Sequence, residues 1–276
     1  MSFEIRPASE RDIPDLCDLW RSCFPDPEEY VRYFYEVNFS RITVPALFLD
    51  GKPVSAIHLL DAVLSDGGQD CPVRYVYAVG THPDFRMRGY ARKVLLDAAR
   101  AADGGGYGLF LKPSPQMTDA YASLGFATDS RLFLCTFRPG PGEPEDMSVS
   151  SLSAPDYNRM RNAAFSSRPY VRWPDAHVSW CVDENAFCGG WTLRLTLDGT
   201  DRFLMACPVN GALRVTETDL SPEELTRAAP ALCRLSGTSR LEAYLPEDTV
   251  PGGISVIFSC VYHAPLRHSY ANLLLI

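Results

Sequence analysis

The chain alternates between two patterns of apolar residues, one with the period of a strand and one with that of a helix. "FEIRPA" reads as a short strand. In "SERDIPDLCDLWRSCF", Ile13, Leu16, Leu19 and Trp20 share one helical face, and Ser9 is placed to cap it. "PEEYVRYFYEVNF" predicts a second helix with Pro27 in its first turn. "VPALFLDGKPVSAIHLLDAVL" predicts a hairpin around Asp50-Gly51, and "PVRYVYAVGTHP" a strand ending by Pro83. A helix begins near Arg88 or Gly89 and runs to about Arg100, with Ala91, Val94, Leu95 and Ala98 on its apolar face. "YGLFLKP" is a strand, "SPQMTDAYASLG" a short helix closed by Gly125, and "RLFLCTFRP" a strand.

"RPGPGEPEDM" then breaks the pattern, because its prolines and glycines continue neither element. The expected division is a first domain over 1–138, a linker over 139–147 and a second domain over 148–276. After the break, "LSAPDYNRMRNAAF" and "WPDAHVSWCVDENAFCGG" read as helices. "WTLRLTLDGTDRFLMACPVNGALRVTET" reads as three strands turning at Asp198-Gly199 and Asn210-Gly211. A helix at "SPEELTRAAPALCRL" and strands at "SRLEAYLP" and "ISVIFSCVYH" complete it. The fold class predicted for the whole is mixed α/β.

Composition narrows the function. With 46% hydrophobic and 22% charged residues over 276 positions, the chain is globular rather than disordered. No stretch is long and apolar enough for a signal peptide or a bilayer span, which predicts a cytoplasmic protein without a membrane partner. Nine scattered cysteines without a CxxC pair predict free thiols, and the five histidines do not cluster with them, so no metal site is expected. A net charge of -8 argues against nucleic acid as a partner.

Against that acidic background, "PDFRMRGYARK" places Arg86, Arg88 and Arg92 where a helix starts. Unpaired amides and the helix dipole already make such an end positive, so more cations there are unfavourable unless an anion binds. Gly89 allows a phosphate to approach the backbone, and Ala91 is small. The bland alternative is a solvated basic helix start.

The pattern Arg86-x-x-Gly89-x-Ala91, followed by Tyr121-x-x-x-Gly125-Phe126, resembles the two motifs of the GCN5-related N-acetyltransferase (GNAT) family. The resemblance covers Phe3 to about Arg138, and Met87 departs from it mildly. It implies that acetyl-CoA lies between two splayed parallel strands, one ending at Val79, Gly80 and Thr81 and the other running from Tyr107 to Lys112. Amides of Val79 and Thr81 would hold the pantetheine arm and acetyl carbonyl. Amides of Met87, Arg88, Gly89, Tyr90, Ala91 and Arg92 would hold the pyrophosphate. The reaction implied is direct acetyl transfer to an amine, with Tyr121 as the acid for the leaving thiolate; a core aromatic is the competing reading of Tyr121. The base is open among His58, His82, Tyr33, Tyr35, Glu36 and a water chain, with both histidines read first as structural.

The second half looks like a degenerate copy of the same fold, similar to the tandem enhanced-intracellular-survival acetyltransferases. At the place of the arginine turn it carries "ETDLSPEEL", where Ser221, Pro222 and Glu224 form a capping box and the acids would repel a pyrophosphate. The second domain is therefore expected to lack a cofactor site. The acceptor is an amine, with cationic amines favoured by the acidic chain, and homo-oligomerisation is left open. The alternative function is a non-enzymatic acyl-CoA-binding or sensing module.

Overall fold

The computed structural model describes residues 3–140, 146–246, 254–262, 270 and 271, and for 129, 130 and 254–262 the backbone only. The chain divides into two compact units. Unit 1 comprises Met1–Val63, Cys71–Thr128 and Cys260–Pro265; unit 2 comprises Leu64–Asp70, Asp129–Ser259 and Leu266–Ile276.

Unit 1 is built from β1 (Phe3–Pro7), α1 (Ile13–Cys23), α2 (Glu28–Asn38), β2 (Ile42–Thr43), β3 (Pro45–Leu49), β4 (Lys52–Asp66), β5 (Gln69–Thr81), α3 (Tyr90–Gly105), β6 (Gly108–Leu111) and α4 (Thr118–Ala122). The sheet order is β1-β3-β4-β5-β6, antiparallel where β1 meets β3 and β3 meets β4, and parallel between β5 and β6. A short 3-10 turn, Glu10–Asp12, precedes α1 where the sequence suggested one continuous helix. Its reason is Asp12, whose carboxylate accepts the Ser9 N–H and hydroxyl, both at 2.7 Å, and the Arg6 guanidinium at 2.8 and 3.0 Å. The Arg6 charge and these hydrogen bonds hold the Asp12 carboxyl far below the usual carboxylate range.

The periodic faces bury as their spacing requires. Leu16, Leu19 and Trp20 of α1 and Val31, Phe34 and Tyr35 of α2 are in the core. Val94, Leu95, Ala98, Ala99 and Ala102 of α3 pack with Leu47, Ile57, Leu59 and Val76 of the sheet. Helix α3 runs a turn beyond Arg100, through an alanine-rich stretch, and stops at Gly106 in the left-handed conformation.

Unit 2 contains β7 (Ala127–Phe137, from Asp129 on), β8 (Met147–Ser151), α5 (Ala154–Phe165), β9 (Tyr170–Arg172), α6 (Asp175–Phe187), β10 (Trp191–Leu197), β11 (Thr200–Val209), β12 (Ala212–Thr218), α7 (Pro222–Ser236) and β13 (Arg240–Pro246). Its sheet order is β7-β13-β12-β11-β10-β8, with β12 and β13 parallel and the other pairs antiparallel. Each unit thus has an antiparallel meander, a crossing helix and a parallel strand. The hairpins at Asp50-Gly51, Asp198-Gly199 and Asn210-Gly211 have positive φ at both residues. A last strand, β14 (Ile254–Tyr262), pairs through Cys260–Tyr262 with Leu111–Leu109 of β6.

Strands β8 and β9 were not expected from the sequence. "MSVSS" has only Met147 and Val149 as apolar residues, and it is a strand because its backbone pairs with β10 from Leu193 to Leu197. Unit 2 has an apolar core that includes Leu195, Leu204, Val215, Leu225 and Leu232, and it also buries a polar network: Arg161 and Glu217 meet at 3.0 Å with neither side chain exposed, Arg161 donates to the Val171 carbonyl at 2.8 Å, and the Tyr157 hydroxyl donates to Glu217 at 2.6 Å.

Candidate active site

The site begins where β5 leaves β6. The two strands pair in parallel from Val73↔Gly108 to Tyr75↔Phe110, yet β5 continues to Thr81. Along that extension Ala78 adopts φ 45, a left-handed conformation that costs a non-glycine residue about 1–2 kcal/mol. Residues strained in this way cluster at active sites and ligand clamps.

Neighbours fix the extension in place. A Cβ on Gly80 would come within 3.1 Å of Cys23 Sγ and 3.4 Å of the Phe24 ring, so the end of α1 presses against a strand position that only glycine fills without a shift. The Ser55 hydroxyl donates to the Gly80 carbonyl at 3.0 Å and lies 2.9 Å from the Thr81 hydroxyl. The His82 N–H donates to the Val54 carbonyl at 2.9 Å.

Beyond Thr81 a 3-10 turn over Pro83–Phe85 leads into the arginine segment. Arg86 Nε donates back to the Thr81 carbonyl at 3.2 Å, and Arg88 donates to the Asp84 carbonyl at 3.2 Å while lying over the Phe85 ring. Met87 and Gly89 have φ of 61 and 72, on either side of Arg88. The first helical bond of α3 runs from the Lys93 N–H to the Gly89 carbonyl at 3.0 Å, so the amides just before it form the open first turn. Successive amides around left-handed residues at a helix start form a concavity suited to an anion. A Cβ on Gly89 would meet nothing within 4 Å, so backbone conformation, more than crowding, calls for glycine here. Met87 is fully exposed, and Arg86, Arg88 and Arg92 are exposed as well.

On the α1–α2 side of the sheet, the Trp20 ring is surrounded by Phe34, His58, Tyr77 and Tyr35 at centroid distances from 4.8 to 5.8 Å. His58 Nε2 lies 2.8 Å from the Tyr35 hydroxyl. A cavity of about 10 Å³, room for a single water, is lined by residues including Cys23, His58, Ala78 and Gly80. Burial pulls the His58 imidazole down to about 4, so it is neutral at physiological pH. The sequence reading set His58 aside; the one available signal was a histidine inside the apolar run "SAIHLL".

The other sequence candidates are dispersed. Tyr33 and Glu36 are exposed on α2, whereas Tyr35 is buried. His82 is half-buried, and its Nδ1 accepts the Asp84 N–H at 3.3 Å. Tyr121 is 8% exposed, packs edge-on against Phe126 at 5.7 Å, and belongs to the core shared with Val94 and Leu95 of α3. Lys112, just past β6, was not singled out in the sequence; burial lowers it to about 8. Among the described residues no three His, Cys, Asp or Glu side chains group to hold a metal ion, and no helix is long and apolar enough to cross a membrane.

In unit 2 the corresponding strand–helix connection is residues 219–221, against 82–89 in unit 1. The Ser221 N–H donates to Glu224 at 2.7 Å and the Glu224 N–H to the Ser221 hydroxyl at 3.1 Å, so the start of α7 is capped by its own side chains. Glu224 also accepts Arg202 at 2.9 Å.

Residues 4–128 match the acetyltransferase (GNAT) domain family. A search of curated proteins finds no match. Among solved structures, a probable N-acyltransferase from Enterococcus faecalis V583 aligns at 11% identity and TM-score 0.74, over 95% of this chain and 72% of that one. Eis1 from Mycobacterium abscessus aligns at 14% identity and TM-score 0.69, over 95% and 73%. A tandem GNAT protein from the clavulanic acid biosynthesis pathway aligns at 12% identity and TM-score 0.60, over 94% and 98%. At these identities the structural likeness shows the fold. Residues 4–128 therefore form an acetyltransferase domain of the GNAT family, within a chain whose mixed α/β fold is that of GNAT proteins.

Proposed function

We propose that the chain is an acetyl-CoA-dependent N-acetyltransferase that transfers the acetyl group directly to an amine. The observation that carries this reading is the parting of β5 from β6 after Tyr75, with the kink at Ala78, directly ahead of the turn holding Met87 and Gly89 in left-handed conformations. The residues present fit the co-substrate: an open helix start flanked by Arg86, Arg88 and Arg92 suits a pyrophosphate. Amides of Met87 to Arg92 hold it, and amides of Val79 and Thr81 hold the acyl end in the gap.

Acetyl-CoA supplies the activated acyl group. In the transfer, the amine nitrogen bonds to the acyl carbon, the carbon–sulfur bond breaks, the amine loses a proton and the sulfur gains one. Tyr121 gives that proton to the leaving sulfur, as a phenol protonated at neutral pH can. Of the two domains the sequence suggests, 1–138 is the catalytic one, although from Asp129 on it belongs to the second compact unit, and 148–276 is a second copy without a cofactor site, a reading supported by the capping box of Ser221 and Glu224. A cytoplasmic location suits the eight free thiols described.

The test is CoA-thiol release from acetyl-CoA with a panel of polyamines, aminoglycosides and lysine peptides. Release that requires one of these amines, with the acetylated amine found by mass spectrometry, supports the reading. CoA binding with no transfer across the panel contradicts it and favours a binding or sensing module.

A further inference from the structure

Two cysteines of unit 2 take no part in the site described. Cys188 caps the C-terminal end of α6, and Cys207 lies on β11. The chain around them is held tightly. Gly189 takes φ 76 where the chain leaves α6 for β10. The Gly190 N–H donates to the Asn185 carbonyl at 2.7 Å, and the Asn185 side-chain amide donates to the Ala206 carbonyl at 3.3 Å. A Cβ on Gly190 would stand 2.5 Å from that same Ala206 oxygen, so only glycine passes this close to β11 without a shift. Trp191 then pairs with Ala206. In this arrangement the Cys207 thiol donates to the Cys188 carbonyl at 3.2 Å. A carbonyl oxygen lies about 2.4 Å from its own Cα, so the Cys207 sulfur is at most about 5.6 Å from the Cys188 Cα. Rotation of the two side chains is enough to bring one sulfur to the other. Cys188 is the only exposed cysteine among the eight described, and Cys207 is half-buried.

We propose that Cys188 and Cys207 are a redox-modified pair that closes to an internal disulfide when a low-molecular-weight disulfide reaches the exposed Cys188. Cys188 gives its proton to solvent and its sulfur attacks one sulfur of the reagent. A mixed disulfide forms, and the first reagent thiolate leaves and takes up a proton. Cys207 then loses its proton, its sulfur bonds to Cys188 Sγ, and the second reagent thiolate leaves and is protonated. Two protein thiols are thereby oxidised by two electrons, and one reagent disulfide is reduced to two thiols. Exposure sets the order, with Cys188 met first and Cys207 resolving the intermediate. Burial and then the Glu184 carboxylate raise the Cys188 thiol, and burial and then Cys188 itself raise Cys207. Few thiolates are present at neutral pH, so each attack is slow and the pair stays open in a reducing compartment. The link ties the end of α6 to β11 and closes a loop that contains β10 and the Asp198-Gly199 hairpin. It lies within unit 2 and does not depend on the acetyltransferase reading.

The test incubates the whole reduced protein with oxidised glutathione, blocks remaining thiols with iodoacetamide, and digests it with trypsin without reduction for mass spectrometry. The expected product joins peptides 173–194 and 203–214, two hydrogens lighter than their sum, and dithiothreitol separates them. Peptide 173–194 also holds the buried Cys181, so Cys188→Ser decides which sulfur is used. Cys188→Ser is expected to lose the link, and Cys207→Ser to lose it while keeping glutathione on Cys188. The thermal midpoint of the linked wild type is expected to rise by about 5–10 °C, as for closure of a loop of this length. Neither variant is expected to gain this shift under the same treatment. A wild type that forms no link, whether it is unreacted, holds glutathione on Cys188 or dimerises through it, overturns the proposal. So does a link that survives Cys188→Ser, or a linked protein whose midpoint does not rise.

Discussion

Arg161 on α5 and Glu217 on β12 form an ion pair at 3.0 Å that is wholly removed from solvent. Glu217 lies one residue from the end of β12, the strand that leads into the capped helix α7. The buried Glu217 carboxylate is held by this guanidinium and by the Tyr157 phenol. Removing one member leaves the other buried and uncompensated, which typically costs about 3–5 kcal/mol. Glu217→Ala is expected to lower the stability of unit 2 by that order, and the double variant Arg161→Met with Glu217→Leu to recover much of it. Chemical denaturation of the three proteins checks this.

Acid acts on two buried groups, His58 and Asp219, in opposite directions. The folded state holds His58 near 4 against an ordinary 6.5, so the unfolded chain takes up the proton first, and this contribution, full above about 6.5, is lost as pH falls toward 4. Asp219 is the reverse: burial raises it to about 6 from 3.8, so its contribution is full below about 3.8 and lost as pH rises through 6. Each is worth on the order of 3 kcal/mol over its full range. Between pH 6.5 and 4.5, His58→Leu is expected to reduce the acid loss of stability and Asp219→Asn to increase it. Denaturant titrations at both pH values, compared with wild type, read the two slopes.

The cap on α7 predicts a local effect. Ser221→Ala removes the acceptor of the Glu224 N–H, and is expected to cost about 1 kcal/mol while leaving CoA affinity unchanged. A large loss of CoA affinity without unfolding, measured by calorimetry, would show that unit 2 takes part in cofactor binding.

Legibility in the sequence followed the range of the interaction. Arg86, Gly89 and Ala91 lie within six residues, so the candidate anion turn could be picked out from local charge and spacing. The Asp50-Gly51 and Asn210-Gly211 hairpins were equally plain, because their backbone needs residues tolerant of positive φ. The Ala78 kink was not, since alanine carries no preference for that conformation. The contact of the Ser55 hydroxyl with the Gly80 carbonyl, 25 residues away, was likewise hidden until β4 was seen beside β5. Strand β8 was hidden because its pairing with β10 uses backbone groups that any residue supplies. The pairing of Cys260–Tyr262 with β6, about 150 residues earlier in the chain, leaves no local trace.

Tyr121 separates its two readings by a single atom. Tyr121→Phe keeps the ring that packs on Phe126 and removes the hydroxyl. If the phenol gives its proton to the leaving sulfur, CoA still binds and single-turnover acetyl transfer falls by roughly 10²–10⁴-fold. Transfer at the wild-type rate would make Tyr121 a core aromatic and place the acid elsewhere.

The most direct measurement is calorimetric titration of CoA into the wild-type protein and into Gly89→Glu, with Gly89→Asn as the control for backbone strain. Gly89 has φ 72 and open space around it, so asparagine, which tolerates that conformation, should leave the fold intact, and glutamate adds strain and a negative charge at the mouth of the turn. Wild type is expected to bind CoA, Gly89→Asn to bind more weakly, and Gly89→Glu, still folded by circular dichroism, to show no measurable binding. Unchanged affinity in folded Gly89→Glu would contradict the assignment of this turn to the pyrophosphate.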